Sequence, residues 1–352
     1  MDSFIAVHSG FDGGWPWAAD HFRDLWQRQG VVGFRRLAHG DDRPLGEVAG
    51  EQAARVRRLA CLGVRVTHDC LEAFPSLREA TFQGPPNRLA DDCEAALAER
   101  GVVLYRRLSE GFWGQSVAEC GLALTLCALR RIPQLHTGIA TAAPDWDWRP
   151  AGGIGAPGQR GVQYSDDPAF ANGTLAGKRV RVVGAGNVGS RYAAFARALG
   201  ADVAAWDPYA AEPAFHRAGS RREHHLARLV EDAEVFAPMV PLTESTRGLA
   251  SADHIRALPG GCLVVLVTRA EVCDMAALRR RVLADELSLA ADVFDIEPLP
   301  PDDPLIGRHN VVHTPHIAGR TADANRSWAE HLADQFQPRD RCPSSAGSPQ
   351  QE

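Results

Sequence analysis

The sequence predicts an α/β protein with two domains, each built on a doubly wound parallel sheet. Three observations support this prediction. The chain has 352 residues, which is enough for two domains of ordinary size. Short β-branched runs alternate with helical periodicity along most of it, as in consecutive parallel βαβ units. A glycine-rich turn from Gly184 to Gly189 lies near the middle of the chain, between a strand-like run and a helical one.

The N-terminal part of the chain contains five strand-like runs. They are Phe4–His8, Val31–Phe34, Leu59–Val66, Arg78–Phe82 and Val102–Tyr105. A helical pattern from Pro16 to Gln29 separates the first two runs, as a parallel arrangement requires. No glycine fingerprint follows any of these runs, so we expect this first domain not to bind a dinucleotide.

Three further segments have a distinctive composition. Gln115 to Arg131 is helical and very apolar, so we expect a buried helix in a core, between domains or at a dimer interface. Pro144 to Gly173 is rich in Gly, Pro, Asp and Trp, which predicts a long loop, either functional or a surface arm. Gln337 to Glu352 is rich in Pro, Ser and Gln, which predicts a disordered tail.

The composition argues against several classes of partner. A net charge of −6 and a pI near 6.1 give no reason to expect nucleic acid or an anionic membrane. No apolar run is long enough to span a bilayer, and the first residues do not resemble a signal peptide, so we expect a cytoplasmic protein. The eight cysteines form no Cys-x-x-Cys pair, and we expect no metal site.

The glycine-rich turn has the context that dinucleotide binding needs. The strand-like run Arg179–Val183 leads into it, and the helical run Ser190–Leu199 follows. The first glycine permits a tight turn, the second lets a pyrophosphate approach the backbone, and the third lets helix and strand pack closely. The start of the helix favours phosphate. The predicted pyrophosphate-binding residues are Gly184, Gly186, Asn187, Val188 and Gly189.

An acidic residue follows the next strand. The run Ala201–Trp206 ends at Asp207, about 20 residues beyond the turn, where a carboxylate accepts hydrogen bonds from the ribose. A carboxylate there repels a 2′-phosphate, so the sequence predicts NAD as the cofactor in preference to NADP. The alternative is that Asp207 only forms a turn before Pro208.

Further patterns follow in a fixed order. They are Pro241-Leu242-Thr243-Glu244-Ser245-Thr246, Arg269, Asp292-Val293-Phe294-Asp295-Ile296-Glu297-Pro298 and Thr314-Pro315-His316-Ile317-Ala318-Gly319. With Val117-Ala118-Glu119 and the glycine turn, they make the region from Val117 to Phe336 resemble the D-isomer-specific, NAD-dependent 2-hydroxyacid dehydrogenases. The residues before Val117 match that family only in their layout.

The resemblance implies a domain organisation. A Rossmann domain that binds NAD, residues 117–318, is inserted into a flavodoxin-like substrate domain, residues 1–116. Residues 319–336 return to the substrate domain as a helix, and 337–352 form the tail. The resemblance also implies a homodimer.

The resemblance implies reversible hydride transfer between nicotinamide C4 and C2 of a small anionic 2-hydroxy or 2-keto acid. His316 matches the group that exchanges a proton with the substrate oxygen. Glu297 matches the carboxylate that pairs with it, favours its protonated form and fixes its tautomer. Glutamate rather than glutamine there favours alcohol and ketone chemistry over formate oxidation. Arg269 matches the anchor, whose planar fork binds a carboxylate.

Other positions match residues that line the ligands. Pro241, Thr246 and Thr268 match positions that line the cofactor, and Asp292 matches the position near the nicotinamide carboxamide. Gly84 and Pro85 fall where the family has its substrate loop.

The chain departs from the family beside the arginine, where Ala270 and Glu271 replace two glycines and Leu266 replaces an asparagine. The backbone at these two former glycines must avoid conformations that only glycine tolerates, or bear strain. The departures suggest a specialised substrate. Two alternatives stay open: a dehydrogenase of a phosphonate or phosphorus oxyacid, and a regulatory protein that senses NAD.

Overall fold

The computed structural model describes residues 2–84, 89–106, 111–141 and 173–338. The chain forms two compact units, one of residues 1–112 and 320–352, the other of residues 113–319. Each unit has one parallel sheet with helices between its strands, so the predicted fold class is confirmed. The predicted domain boundaries, after residue 116 and after residue 318, lie in the same helix and the same turn as the unit boundaries.

The first unit is built on a five-stranded sheet in the order β2-β1-β3-β4-β5. Its strands are β1 Ser3–Val7, β2 Val32–Arg36, β3 Arg58–Leu62, β4 Glu79–Gln83 and β5 Val103–Tyr105. Its helices are α1 Ser9–Gly14, α2 Ala18–Gln27, α3 Leu45–Ala49, α4 His68–Glu72, α5 Asp91–Glu99 and α13 Ala322–Ala333, with a 3-10 turn at Gly50–Arg55. Every residue of β1 and β3 is buried, as expected for strands covered on both faces.

The C-terminal helix α13 packs in the first unit, although its sequence follows the whole second unit. Trp328 stacks near Phe11, with the ring centroids 5.3 Å apart. Asn325 Oδ1 accepts a hydrogen bond from Trp17 N at 3.3 Å. Phe336, just beyond the helix, meets the edge of Trp26 at 4.9 Å. These aromatic contacts give α13 an apolar face that α1 and α2 cover.

The second unit is built on a seven-stranded sheet in the order β12-β11-β10-β9-β6-β7-β8, and all its pairs are parallel. Its strands are β6 Arg179–Val183, β7 Asp202–Trp206, β8 Arg221–Arg222, β9 Val235–Pro238, β10 Leu263–Leu266, β11 Ser288–Ala291 and β12 Val311–His313. Its helices are α6 Gly111–Arg130, α7 Ile132–Thr141, α8 Gly189–Ala198, α9 Glu212–Ala218, α10 Leu226–Glu231, α11 Ala252–Ala257 and α12 Met275–Leu283, with a 3-10 turn at Ala270–Val272.

Helix α6 packs along one face within the second unit, and its apolar sequence predicted a buried helix in a core, between domains or at a dimer interface. The residues buried on this face are Gly114, Val117, Ala118, Gly121, Leu124 and Thr125, and the other described side chains of the helix are partly or fully exposed. Gly121 lets this face approach the sheet, since a Cβ there would lie 3.2 Å from Val267 Cγ2. A helix that packs one face on a sheet leaves the other face for solvent or a partner. No residue of α7 is buried.

Two predicted segments fall largely outside the described residues. They are the loop from Pro144 to Gly173, of which only Gly173 is described, and the tail from Gln337 to Glu352, of which only the first two residues are described. Within the described ranges, no helix combines the length and the apolar character that crossing a bilayer would need.

Candidate functional site

The predicted site residues of the second unit follow different strands of one sheet. The glycine turn follows β6, Asp207 follows β7, and Arg269 comes soon after β10. Asp292 directly follows β11, and His316 comes shortly after β12. Because all these strands are parallel, their carboxyl ends share one edge, which is where open α/β sheets bind ligands.

The glycine turn is tight at its ends and open in its middle. Gly184 has a φ of +98°, and a Cβ there would lie 2.7 Å from Val240 Cγ1. A Cβ on Gly189 would lie 2.0 Å from Gly184 O, so helix α8 can start this close to β6 only with glycine. Gly186 is exposed and has no heavy atom within 4 Å of a Cβ position. The open backbone at Gly186 and the uncapped start of α8 fit a pyrophosphate.

Asp207, which was predicted to bind the ribose of the cofactor, forms hydrogen bonds within the protein that hold the glycine turn. Its Oδ2 accepts a hydrogen bond from Ala185 N at 2.8 Å, inside the glycine turn. Its Oδ1 accepts from Tyr209 N at 2.9 Å and from Ala210 N at 3.0 Å. The turn-forming interpretation therefore describes part of its role. A carboxylate has about four lone-pair sites, so this half-buried side chain retains acceptor capacity for about one further donor.

His316 and Glu297 form a hydrogen-bonded pair. His316 Nδ1 lies 2.7 Å from Glu297 Oε2, and Glu297 Oε1 accepts from Phe294 N at 2.8 Å. An ionised carboxylate only accepts, so Nδ1 carries the proton and Nε2 is left for another partner. The His316 side chain is 43% exposed, which leaves the ring accessible.

The backbone at His316 is left-handed, with a φ of +57°. This conformation is uncommon for a residue other than glycine and requires support from its surroundings. The support comes from Asp292, which is completely buried. Its Oδ1 accepts from Thr314 Oγ1 at 2.6 Å and from Ile317 N at 2.8 Å, and its Oδ2 accepts from Ala318 N at 2.8 Å. Asp292 thus ties down the turn on both sides of the histidine.

The burial of Asp292 limits its predicted contact with nicotinamide, which stays a prediction. The carboxylate also affects Cys120 on α6. Burial, and after it the charge of Asp292, raises the pKa of the Cys120 thiol to about 11. The thiol is therefore protonated at neutral pH and is not a nucleophile in this region.

Arg269 is exposed and begins the 3-10 turn Ala270–Val272. Its Nη1 donates to Thr268 O at 2.6 Å, and within the described part of the chain no carboxylate lies in ion-pair range. The two residues that replace glycines cause no backbone strain, since neither Ala270 nor Glu271 has a positive φ. Ala270 is buried, and Glu271 O accepts from Gly248 N at 2.8 Å, so the turn is packed on the neighbouring segment.

The residues predicted to line the cofactor also have structural partners. Thr246 Oγ1 donates to Pro241 O at 2.6 Å and accepts from Thr243 N at 2.7 Å, which closes the segment after β9. Thr268 Oγ1 donates to Pro238 O at 3.2 Å. These bonds fix the two segments at the edge of the sheet where the glycine turn lies.

Gly84 belongs to the first unit and directly follows β4. It has a φ of +81°, and a Cβ there would lie 2.5 Å from Phe11 Cδ2, so the position requires glycine. Pro85 lies outside the described residues.

Two residues of this region, Thr314 and Gly114, have contacts that the sequence did not predict. Thr314 bonds to Asp292, and a hydroxyl residue after one strand beside an aspartate after the neighbouring strand could have indicated this contact. Gly114 on α6 lies against the glycine turn, since a Cβ there would be 2.9 Å from Asn187 O. No local signal in the sequence marks that contact. Over the described ranges, no group of three or more His, Cys, Asp or Glu could hold a metal ion.

Comparison with known proteins identifies the family. The model of the D-isomer specific 2-hydroxyacid dehydrogenase NAD binding domain matches residues 122–318. The chain belongs to this family. It carries the family's NAD-binding domain, so NAD is confirmed as the cofactor. The likeness extends over the strands, the glycine turn and the histidine turn of the second unit.

Relatives with several activities resemble the chain. A D-3-phosphoglycerate dehydrogenase of Archaeoglobus fulgidus is 31% identical over 240 residues, which cover 68% of this chain and 41% of the relative. A hydroxypyruvate reductase of Thermotoga maritima is 29% identical over 276 residues, covering 77% of this chain and 80% of the relative. Among solved structures, a phosphoglycerate oxidoreductase from Rhizobium etli has a TM-score of 0.71 at 17% identity, covering 99% of this chain and 100% of that one.

These matches differ in how much of each relative they cover and in sequence identity. The chain matches less than half the length of several phosphoglycerate dehydrogenases, 41%, 48% and 38% for three of them. The structural likeness at 17% identity concerns the fold alone. The predicted cytoplasmic location stays a prediction.

Proposed function

We propose that the protein is an NAD-dependent oxidoreductase that transfers a hydride between nicotinamide and C2 of a small 2-hydroxy or 2-oxo acid. The observation that carries the proposal is the 2.7 Å pair of His316 and Glu297 at the same sheet edge as the glycine turn and Arg269. A pyrophosphate turn alone fits any dinucleotide protein. An oriented imidazole, and a guanidinium without an acidic partner among the described residues, add proton transfer and anion binding to it.

In this proposal His316 moves the proton. Glu297 holds Nδ1, so Nε2 is the atom that faces the substrate oxygen. In reduction Nε2 gives its proton to the carbonyl oxygen as the alcohol forms, and in oxidation it takes the proton back. Nicotinamide, when bound, donates or accepts the hydride. Glu297 stabilises the protonated imidazole and keeps the ring in one tautomer.

Arg269 binds the carboxylate of the substrate. The guanidinium is exposed, and its described hydrogen bond goes to a backbone carbonyl, so its charge is not neutralised by an acidic neighbour in the described ranges. The planar guanidinium can donate hydrogen bonds to both oxygens of a carboxylate and so hold the carbonyl in position for hydride attack.

The relatives are named for different substrates, phosphoglycerate, hydroxypyruvate and glyoxylate, and each name concerns that relative alone. For this chain we propose that the substrate is a 2-oxo acid. We propose a specialised one because Ala270 and Glu271 stand beside Arg269 where the family has two glycines. The phosphonate alternative remains an outcome of the test, since a guanidinium binds that anion equally well.

We also propose a homodimer. Helix α7 carries exposed apolar side chains, since Ile132 and Ile139 are each about half exposed, at 50% and 51%. A second copy would cover such a face.

The test combines a substrate panel with Arg269→Lys. NADH oxidation is followed with glyoxylate, hydroxypyruvate, other 2-oxo acids and phosphonates, in the wild type, in Arg269→Lys and in the matched control Arg280→Lys on α12. We expect turnover with at least one 2-oxo acid. Arg269→Lys should raise KM and lower kcat, because lysine is a point donor without the fork, and the control should match the wild type.

Three results would contradict the proposal. Turnover confined to phosphorus oxyanions would replace the 2-oxo acid by a phosphonate. Tight NADH binding without turnover on the whole panel would favour the regulatory alternative. A kinetically silent Arg269→Lys would remove the arginine from the substrate site.

A further inference from the structure

A second guanidinium lies at the glycine turn, and the proposed reaction does not use it. Arg191 is the third residue of α8. Side chains of a helix point back towards its N-terminus, and the guanidinium of Arg191 accordingly reaches the turn that precedes the helix. Its Nη1 donates to Asn187 O at 2.7 Å. The positive charge therefore lies beside the backbone that a pyrophosphate approaches.

Helix α6 fixes the guanidinium from another side. A Cβ on Gly114 would lie 2.9 Å from Asn187 O and 3.1 Å from Arg191 Nη1. Only glycine lets α6 pass this close to both groups. The guanidinium therefore lies between the glycine turn and α6, and not free in solvent.

The charge of Arg191 has no acidic partner among the described residues. The two arginines within β6 differ in this respect. Arg181 Nη2 lies 2.5 Å from Asp232 Oδ2 and 3.1 Å from Asp202 Oδ2, and Arg179 Nη1 lies 3.2 Å from Glu234 Oε2. Arg191 instead donates one of its five N–H groups to a backbone carbonyl, as Arg269 does at the same edge of the sheet.

We propose that Arg191 binds the pyrophosphate of the dinucleotide and neutralises part of its charge. The backbone N–H groups of the turn supply directional hydrogen bonds, and Arg191 supplies the full charge that those groups lack. The bond to Asn187 O prepositions the side chain, so little rotamer freedom is lost on binding. The proposal rests on NAD binding at the glycine turn, and it is independent of which acid is oxidised.

The experiment measures ligand dissociation constants of the full chain by isothermal titration, in Arg191→Gln, Arg191→Lys and the control Arg280→Gln. Arg280→Gln removes the same charge from an exposed position on α12. The ligands are NADH and ADP-ribose, which contain the pyrophosphate, and adenosine, which has no phosphate. Each titration is repeated at low and high salt.

We expect Arg191→Gln to weaken NADH and ADP-ribose by about 5- to 30-fold and to leave adenosine unchanged, the range for a charged hydrogen bond that is partly screened by solvent. Its affinity should also depend less on salt than that of the wild type. Arg191→Lys should recover part of the loss, and Arg280→Gln should equal the wild type.

Two results would overturn the proposal. Unchanged NADH affinity in Arg191→Gln would mean that the guanidinium does not meet the pyrophosphate. An equal loss for adenosine would mean that Arg191 only supports the turn through Asn187 O. Because these are binding measurements, a failure of the 2-oxo acid panel would leave them unaffected, so the two proposals fail separately.

Discussion

Asp207 and Asp292 occupy equivalent places in the second unit and hold two different turns. Each follows a strand of the same sheet, β7 or β11. Each accepts three hydrogen bonds, Asp207 in and near the glycine turn and Asp292 on both sides of His316. The same arrangement therefore occurs twice in this sheet: a carboxylate that follows one strand orders the turn that follows the neighbouring strand.

The two carboxylates differ in exposure. The buried one supports the turn around His316, whereas the partly exposed one can also contact a ligand. Asp292 is fully buried, and the three donors recorded for it all belong to the turn around His316. Asp207 is half-buried and can still accept from a ligand. The turns differ in the same sense: glycine adopts the positive φ at Gly184, whereas His316 itself adopts it at the other turn. A functional side chain in a strained conformation needs the more rigid support.

The largest effect is expected from removing the imidazole. His316→Asn should lower the rate of hydride transfer by about 10²–10⁴-fold, the usual cost of losing an acid or base group. Asparagine tolerates positive φ better than most residues, so the turn should keep its shape. Single-turnover kinetics measure the rate, and NADH fluorescence titration should give an unchanged dissociation constant.

His316→Ala is the companion variant. Alanine bears the full strain of the left-handed conformation, so it should lose stability as well as rate. If His316→Asn turned over at the wild-type rate, the imidazole would not carry the proton, and the turn held by Asp292 would have only a structural role.

A smaller effect is expected on stability from Asp292→Asn. The amide places N–H donors against buried donors of Thr314, Ile317 or Ala318, so the free energy of unfolding should fall by about 1–3 kcal/mol or more. Asp207→Asn is the matched control. Water can reach its half-buried site, so its loss should stay under about 1 kcal/mol. Denaturant unfolding of both variants measures the difference, and equal losses would contradict the distinction between the two carboxylates.

The sequence predicted the five strands of the first sheet, and β6 and β7 of the second, because the apolar runs that form them are short and bounded. The place of Asp207 after a strand, about 20 residues beyond the glycine turn, indicated its part in the site, whereas Arg269, Glu297 and His316 were singled out by the resemblance to the dehydrogenase family. The sequence could not predict which backbone groups bond to the carboxylates of Asp207 and Asp292. The bonds of Asp292 join segments that the chain separates, and its burial depends on α6 and the whole sheet.

The same limit applies to α6. Its apolar sequence predicted a buried helix but not which face packs in the second unit, which the close contacts of Gly114 and Gly121 show. The effect of Ala270 and Glu271 was also beyond the sequence. Whether they cause strain depends on backbone dihedrals, and the packed 3-10 turn shows that they do not.

The smallest expected effect concerns the choice of cofactor. Asp207→Ala should narrow the preference for NADH over NADPH by about 1–3 kcal/mol, since it removes both an acceptor for the ribose and the repulsion of a 2′-phosphate. It also removes the hydrogen bond to Ala185 N, so the affinity for both cofactors should fall because the turn is less ordered.

Asp207→Asn separates the effect of the charge from that of the hydrogen bonds, because the amide keeps an acceptor oxygen and loses the charge. If charge sets the preference, Asn should narrow it as much as Ala while binding NADH more tightly. Titration of both cofactors against the three proteins measures this, and equal affinity of the unmodified protein for NADH and NADPH would show that Asp207 serves the turn alone.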